Sequence, residues 1–339
     1  MAIRNLPLNE TIMIYIRKII ATSISLTILA IIYYQIDLNL LGQAMNGLDW
    51  QWFGLAIAMI APLTAASAWR ICFLAPKSAR LSFFQSLNLT LMASVLNAVL
   101  PSKLGDIARS YALAEQGHMP MADALSLVIF EKTWDVLALS FWCSIGLLWM
   151  LATSNGISPL FYVMAFAIIL ALFVGGMMVA SLRFANGIFS IALNFIPNKK
   201  NKKIETLQSA WCRALTDFWS NKPKATIIIN GSLFLWLMHL FQIWLFVLAL
   251  NSKIPFLDNA AMASLAIFIG LLPFTLAGIG TRDAAIIFFY QPYIGAPTAA
   301  ALGLLCTLRY FLPALIGLPF VRRYLLTARR IKEDVKLGT

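Results

Sequence analysis

The chain is 339 residues long, 60% hydrophobic and 12% charged, with a formal net charge of +12. That much apolar side chain exceeds what a soluble core of this length buries, so the composition describes a polytopic membrane protein. Two histidines in no His-x-x-x-His or His-Glu-x-x-His spacing, and four dispersed cysteines, argue against a metal site, a disulfide framework and a histidine-dependent hydrolase.

Along the chain, the first apolar run, Ile19 to Tyr34, follows Arg17 and Lys18. It ends in Tyr33, Tyr34 and Gln35 rather than a small-residue cleavage pattern, and so reads as an uncleaved span. Further spans are predicted at Trp50 to Trp69, Trp134 to Leu151, Leu160 to Leu182, Ala225 to Leu250 and Ala299 to Phe320. These make about six full spans, each near the ~20 residues that a bilayer helix needs.

Placement of charge sets the topology. Of 26 Lys and Arg, 20 fall in four stretches: Arg4 to Lys18, Arg70 to Arg80, Arg183 to Lys224, and Arg322 to Lys336. Short basic loops collect on the cytoplasmic side, and all four are assigned there. The connections 35–49, 153–159 and 251–259 hold a single cation, Lys253, and face outside. Residues 81–133 then join two cytoplasmic points and residues 259–296 join two external ones, so each crosses an even number of times. Both read as re-entrant hairpins, of opposite orientation. For the first, the alternative is a full span at Leu81 to Leu100 with Met121 to Lys132 as its return leg.

The expected fold is therefore all-α, an inverted-topology repeat built of 1–159 and 160–321 with two re-entrant helical hairpins. A basic cytoplasmic tail follows at 322–339. Within the second half, Ile204, Leu207, Trp211, Leu215 and Phe218 recur at helical spacing and predict an amphipathic connector over 201–219, resting on the inner leaflet. The expected setting is the cytoplasmic (inner) membrane, multi-pass, with both termini cytoplasmic.

The hairpins carry the candidate chemistry. In one, Pro101, Lys103, Gly105, Asp106 and Arg109 break an apolar segment; in the other, Pro273, Gly278, Gly280, Arg282 and Asp283 do so. Proline and buried charge are costly in lipid and persist where backbone lines a polar cavity, so paired breaks point to a transporter's substrate site. A helix starting after Pro101 offers free amides to an anion, with Lys103 and Arg109 adding full charges. Gly105 would admit a headgroup, and Asp106, one turn before Arg109, would orient it. An internal ion pair that merely pins the hairpin is the structural reading of the same residues. Glu131 and Asp135 share a helix face beside Lys132, as counter-ions to the arginines or as proton carriers. Arg309 lies within the last span, and Asp283 is the expected partner of Arg282 or Arg309. His239 is read as a packing residue.

Pro101-x-Lys103-x-Gly105-Asp106-x-x-Arg109, then Glu131-Lys132-x-x-Asp135, then Pro273 followed by Gly278-x-Gly280-x-Arg282-Asp283, resembles the flippase-like membrane domain of lysylphosphatidylglycerol synthases. Lys132, Ala277 and Asp283 depart from that pattern, standing where arginine, glycine and glutamate are common. The resemblance covers nearly the whole chain, as a stand-alone member without the cytosolic synthase domain, so aminoacylation is not expected. It implies a protein that moves a lipid between leaflets.

The reading that follows is a lipid translocase for an anionic phospholipid or polyisoprenyl-phosphate-type lipid. Its substrate-binding set is Lys103, Gly105, Asp106, Arg109, Glu131, Asp135, Gly278, Gly280, Arg282, Asp283 and Arg309. No catalytic residue, metal or cofactor is assigned, and no Gly-x-x-x-x-Gly-Lys-Ser/Thr loop is present for direct ATP drive. Expected partners are membrane lipids with anionic headgroups, not nucleic acid, and a homo-oligomer is compatible with the sequence. The alternatives are a membrane-embedded transferase on a lipid-linked phosphate donor and a non-catalytic lipid-binding subunit.

Overall fold

Asp37 and Asp49 are N-caps, each carboxylate accepting from two backbone N–H groups of the helix it precedes. The computed structural model describes residues 36–99, 104–116, 119–153, 159–195, 201–271 and 278–337, with isolated positions before Ile36. The expected span at Ile19 to Tyr34 lies almost wholly outside the described residues, as do Pro101, Lys103 and Pro273.

Among the described residues the elements are helical: α1 (Leu38–Asn46), α2 (Trp50–Ala58), α3 (Ile60–Leu74), α4 (Phe83–Val99), α5 (Leu104–Gln116), α6 (Met121–Thr153), α7 (Pro159–Ala180), α8 (Leu182–Phe195), α9 (Asn201–Ser220), α10 (Lys222–Ala249), α11 (Phe256–Gly270), α12 (Thr281–Ile294) and α13 (Ala296–Leu337). Five helical stretches are long and apolar enough to cross a membrane: Trp50–Leu74, Met121–Thr153, Phe161–Ala180, Lys222–Ala249 and Ala296–Val321. They match five of the six expected spans. The first combines α2 and α3, which meet at Met59. Pro62 has no N–H for the Ala58 carbonyl, which accounts for a break there.

One expected boundary moves. The span expected from Trp134 begins at Met121 and runs 33 residues without interruption. Met121 to Lys132 is therefore the first third of α6, and the partner leg of α4 is α5. The cluster at Glu131, Lys132 and Asp135 marks no helix start, because its charges are neutralised across the fold.

The helices expected to form the two hairpins, α4 with α5 and α11 with α12, have 17, 13, 15 and 14 residues. Each falls short of the ~20 needed to span. Close backbone approach holds each pair together. A Cβ at Gly105 would stand 2.5 Å from the Asn97 nitrogen and 2.7 Å from the Ala93 oxygen, so the space expected for a headgroup is filled by α4. Gly278, at φ +77°, packs on the end of α11, where a Cβ would stand 2.6 Å from the Gly270 carbonyl oxygen.

The helix series repeats. Starts at 50, 83, 104 and 121 recur at 222, 256, 281 and 296, a displacement of 172 to 177 residues. The packing repeats as well, with α4 on α13 and α11 on α6, and a glycine at each crossing: Gly317 against the Leu91 backbone and Gly146 against Ala261. The two series run in opposite directions where they meet. Asn251 bonds the Gly47 carbonyl, the Asp49 N–H bonds the Ala249 carbonyl, Gln242 bonds the Ala56 carbonyl, and Arg70 bonds Ser232, one index climbing as the other falls.

Two apolar cores result. One joins the later half of α6 to α10, α11, α12 and the start of α13. The other joins α3, α4, α5, the first part of α6, α9 and the start of α10. They meet along α6 and α10, and buried polar side chains occupy the seam. The amphipathic helix forms as expected at α9, but its apolar face is spent on protein: Trp211 and Phe218 pack on Phe130 with ring centroids 5.5 and 5.0 Å apart. Trp211 and Trp219 also donate to the Met178 and Val179 carbonyls.

Candidate functional site: two buried charge clusters

The first cluster is drawn from three helices: Arg70 of α3, Asp106 and Arg109 of α5, and Glu131, Lys132 and Asp135 of α6. Glu131, spaced i,i+4 from Asp135 and so on the same helix face, is its centre. One of its oxygens accepts from Arg70 Nη2 at 3.0 Å and the other from Arg109 Nη2. Arg70 Nη1 lies 2.7 Å from Asp135 Oδ1 and donates to the Ser232 hydroxyl at 3.1 Å. Lys132 Nζ lies 3.2 Å from Asp135 and 3.5 Å from Asp106. Arg70, Arg109 and Glu131 are all buried, at 2 to 3% exposure. Among the described residues the cluster holds three cations and three carboxylates, so it is charge-balanced.

The structure thus brings Asp106, Arg109, Glu131 and Asp135 together. The carboxylate hydrogen-bonded to Arg109 is Glu131, from another helix, rather than Asp106 one turn away. Glu131 and Asp135 act as counter-ions, both oxygens of Glu131 being engaged by guanidinium groups. Arg70 is the residue that sequence reading missed. The sequence places it among the cytoplasmic flanking cations, yet it is buried within α3.

The second cluster gathers Arg282 and Asp283 from the first turn of α12, Thr307, Arg309 and Tyr310 from α13, and His239 and Gln242 from α10. Asp283 does two tasks. One oxygen accepts from Arg282 Nη2 at 2.8 Å, and the other accepts from the Gly280 N–H at 3.1 Å, closing the helix start. Gly280 itself sits at φ +97°, a conformation that L side chains rarely adopt. Arg282 also donates to the Thr307 hydroxyl.

Arg309 is bonded to neutral acceptors: Gln242 Oε1 at 3.2 Å, the His239 carbonyl at 3.4 Å and the Tyr310 hydroxyl at 3.0 Å. Both guanidinium groups stand over the Tyr310 ring, Arg282 at 5.1 Å and Arg309 at 4.9 Å from its centroid. Asp283 is therefore the partner of Arg282 and not of Arg309. Arg282, Asp283 and Arg309 are at most 6% exposed. Two cations against one carboxylate leave this cluster at +1 among the described residues.

The clusters are separate sites along one ruler. Ser232 touches the first and Gln242 the second, ten residues apart on α10, or about 15 Å of helix rise. The His239 ring packs against Trp236 at 5.5 Å. Ser232, Gln242, Thr307 and Tyr310 were not singled out from sequence, because polar side chains scattered in apolar helices carry no signal until a charge is placed beside them.

An apolar chain, helical throughout its described elements, with five helices long and apolar enough to cross a membrane and charged side chains buried between them, is a polytopic membrane protein. Residues 18–317 match the family described as the lysylphosphatidylglycerol synthase TM region, and the chain belongs to that family. It is similar to a UPF0104 membrane protein of Methanothermobacter thermautotrophicus, 26% identical over 231 residues, which are 62% of this chain and 66% of that relative's length. A UPF0104 membrane protein of Methanocaldococcus jannaschii is 24% identical over 230 residues, 66% of this chain and 91% of the relative.

Proposed function

We propose that this protein is a lipid translocase of the cytoplasmic membrane, that its anion selector is the Arg282–Arg309 cluster, and that the Glu131 cluster ties α3, α5 and α6 of the first helix series to one another. The observation that carries the reading is the surplus charge. Arg309 is a buried guanidinium bonded to neutral acceptors, beside a second arginine with one carboxylate between them. A buried charge calls for a compensating one, and a lipid phosphate supplies it with acceptor oxygens that suit a guanidinium fork.

The short legs of α4–α5 and α11–α12 fit hairpins that enter and return on one side, so that the start of α12 meets α10 and α13 within the membrane. The family's name associates this region with a synthase of an aminoacylated anionic phospholipid, which agrees with a phosphate-bearing substrate. The first cluster, charge-balanced among the described residues, attracts an anion less than the second.

The test is transbilayer movement of fluorescent phosphatidylglycerol in proteoliposomes, with fluorescent phosphatidylcholine as control. Wild type is expected to expose the anionic lipid faster than empty vesicles, and Arg309→Gln and Arg282→Gln to remove most of that excess. Wild-type rates in both variants would overturn the assignment of the selector.

A further inference from the structure

Between α3 and α10, on the seam of the two helix series, lies a cavity of about 310 Å³. Ala66, Trp69 and Arg70 line one side, with Gly231, Phe234 and Met238 on the other, and its lining on the first side continues to Met59. Ala66, Trp69 and Phe234 are exposed, so the slot opens sideways, where a membrane protein meets lipid. From Met59 to Arg70 is 11 residues, about 17 Å of helix. One leaflet contributes about 15 Å of the ~30 Å hydrocarbon core, so the slot is as deep as one acyl chain is long in the bilayer.

Its polar end is a single residue. Arg70 uses both terminal nitrogens on Glu131, Asp135 and Ser232, while its buried Nε has no hydrogen-bond partner. An unpaired buried donor is rare and calls for an acceptor. Arg70 stands four residues from the end of α3, just before the basic segment of Lys77 and Arg80, the level at which a chain gives way to ester and phosphate oxygens.

We infer that this slot holds one acyl chain of a phospholipid, with Arg70 at its headgroup end offering the Nε–H to an ester or phosphate oxygen. The inference extends the translocase reading by giving the lipid a seat for a chain, its Arg70 end about 15 Å of helix rise from the proposed selector and its Met238 end one residue from His239. It does not depend on transport, because a chain seated here binds whether or not the headgroup moves.

Gly231 makes the slot testable. A Cβ there would meet only the Trp69 ring at 3.8 Å, an ordinary contact, so a larger side chain enters the cavity without displacing backbone. The experiment is photolabelling of the full chain in phosphatidylcholine–phosphatidylglycerol vesicles with a phosphatidylglycerol bearing a diazirine in its acyl chain, mapped by peptide mass spectrometry. The lipid-exposed face of α7, including Phe166, Ile169 and Phe173, is the internal reference for chains in passing contact.

Labelling of 59–70 and 231–238 is expected to exceed that of α7 at least fivefold. Gly231→Trp and, separately, Ala66→Trp should bring it down to the α7 level. A diazirine fatty acid in place of the phospholipid should label the slot less than twofold above α7; fivefold enrichment with it would overturn the assignment to a phospholipid. No enrichment over α7 in wild type would overturn the slot itself, whatever the flipping rates. Conversely, enrichment together with wild-type flipping in Arg309→Gln and Arg282→Gln would leave the slot standing and sink the selector alone.

Discussion

Glu131→Gln is the sharpest perturbation of the charge-balanced cluster. The side chain is 2% exposed, and both oxygens are engaged by guanidinium groups. Glutamine keeps the volume but removes the charge and turns an N–H donor toward one of two cations. Arg70 retains Asp135 at 2.7 Å, whereas Arg109 loses the carboxylate it is bonded to. Breaking a buried pair from one side costs about 3–5 kcal/mol, because the remaining charge stays desolvated. The assay is equilibrium unfolding in mixed micelles, with the mole fraction of dodecyl sulfate as denaturant and tryptophan fluorescence as signal. Adding Arg109→Met to the variant removes the orphaned charge and should restore part of the loss, with a coupling of about 1–3 kcal/mol in the double-mutant cycle. A single-variant loss below ~1 kcal/mol, or strictly additive effects, would refute the argument that Glu131 is the hub.

The two glycine crossings should behave alike. Gly317→Ala places a Cβ 2.4 Å from the Leu91 oxygen and Gly146→Ala places one 2.7 Å from the Ala261 Cα, so each should lower stability by about 1–3 kcal/mol. Gly54→Ala, with open space around it, should leave the melting temperature unchanged or raise it slightly. Gly278→Ala combines a positive φ with a contact of 2.6 Å to the Gly270 carbonyl, and should reduce both stability and anionic-lipid movement while phosphatidylcholine controls stay flat. On the surface, Arg213 bonds Asp123 at 2.6 Å with side chains 58% and 28% exposed, and a double-mutant cycle there should give a coupling below about 1 kcal/mol.

Hydropathy and charge placement located five long apolar helices and the amphipathic helix at α9, because apolar runs and basic loops are local properties. The start of α6 was not legible. Charges at 131–135 interrupt the apolar pattern, and the partners that neutralise them lie 61 residues back at Arg70 and 22 back at Arg109. Arg70 was hidden for the converse reason: near the end of a span and followed by Lys77 and Arg80, it has the local signature of an interfacial anchor. A trace existed, since two carboxylates on one face of α6 exceed what Arg109 alone can balance. The separation, among the described residues, into a neutral cluster and a +1 cluster could not be read at all from sequence, as it depends on which carboxylate each guanidinium reaches in space.

The unbroken 33 residues of α6 form a shaft about 50 Å long, against a hydrocarbon core of ~30 Å. Nothing in it resembles a joint: there is no proline, and its one glycine is clamped against Ala261. Phe130 and Trp134, which carry α9, sit one turn or less from Glu131 and Asp135, which carry the ion pairs. A push on α9 would therefore bear through this shaft on Arg70 and Arg109 at once, and through the Arg70–Ser232 bond on α10, so connector, ion cluster and the opposite helix series are mechanically linked.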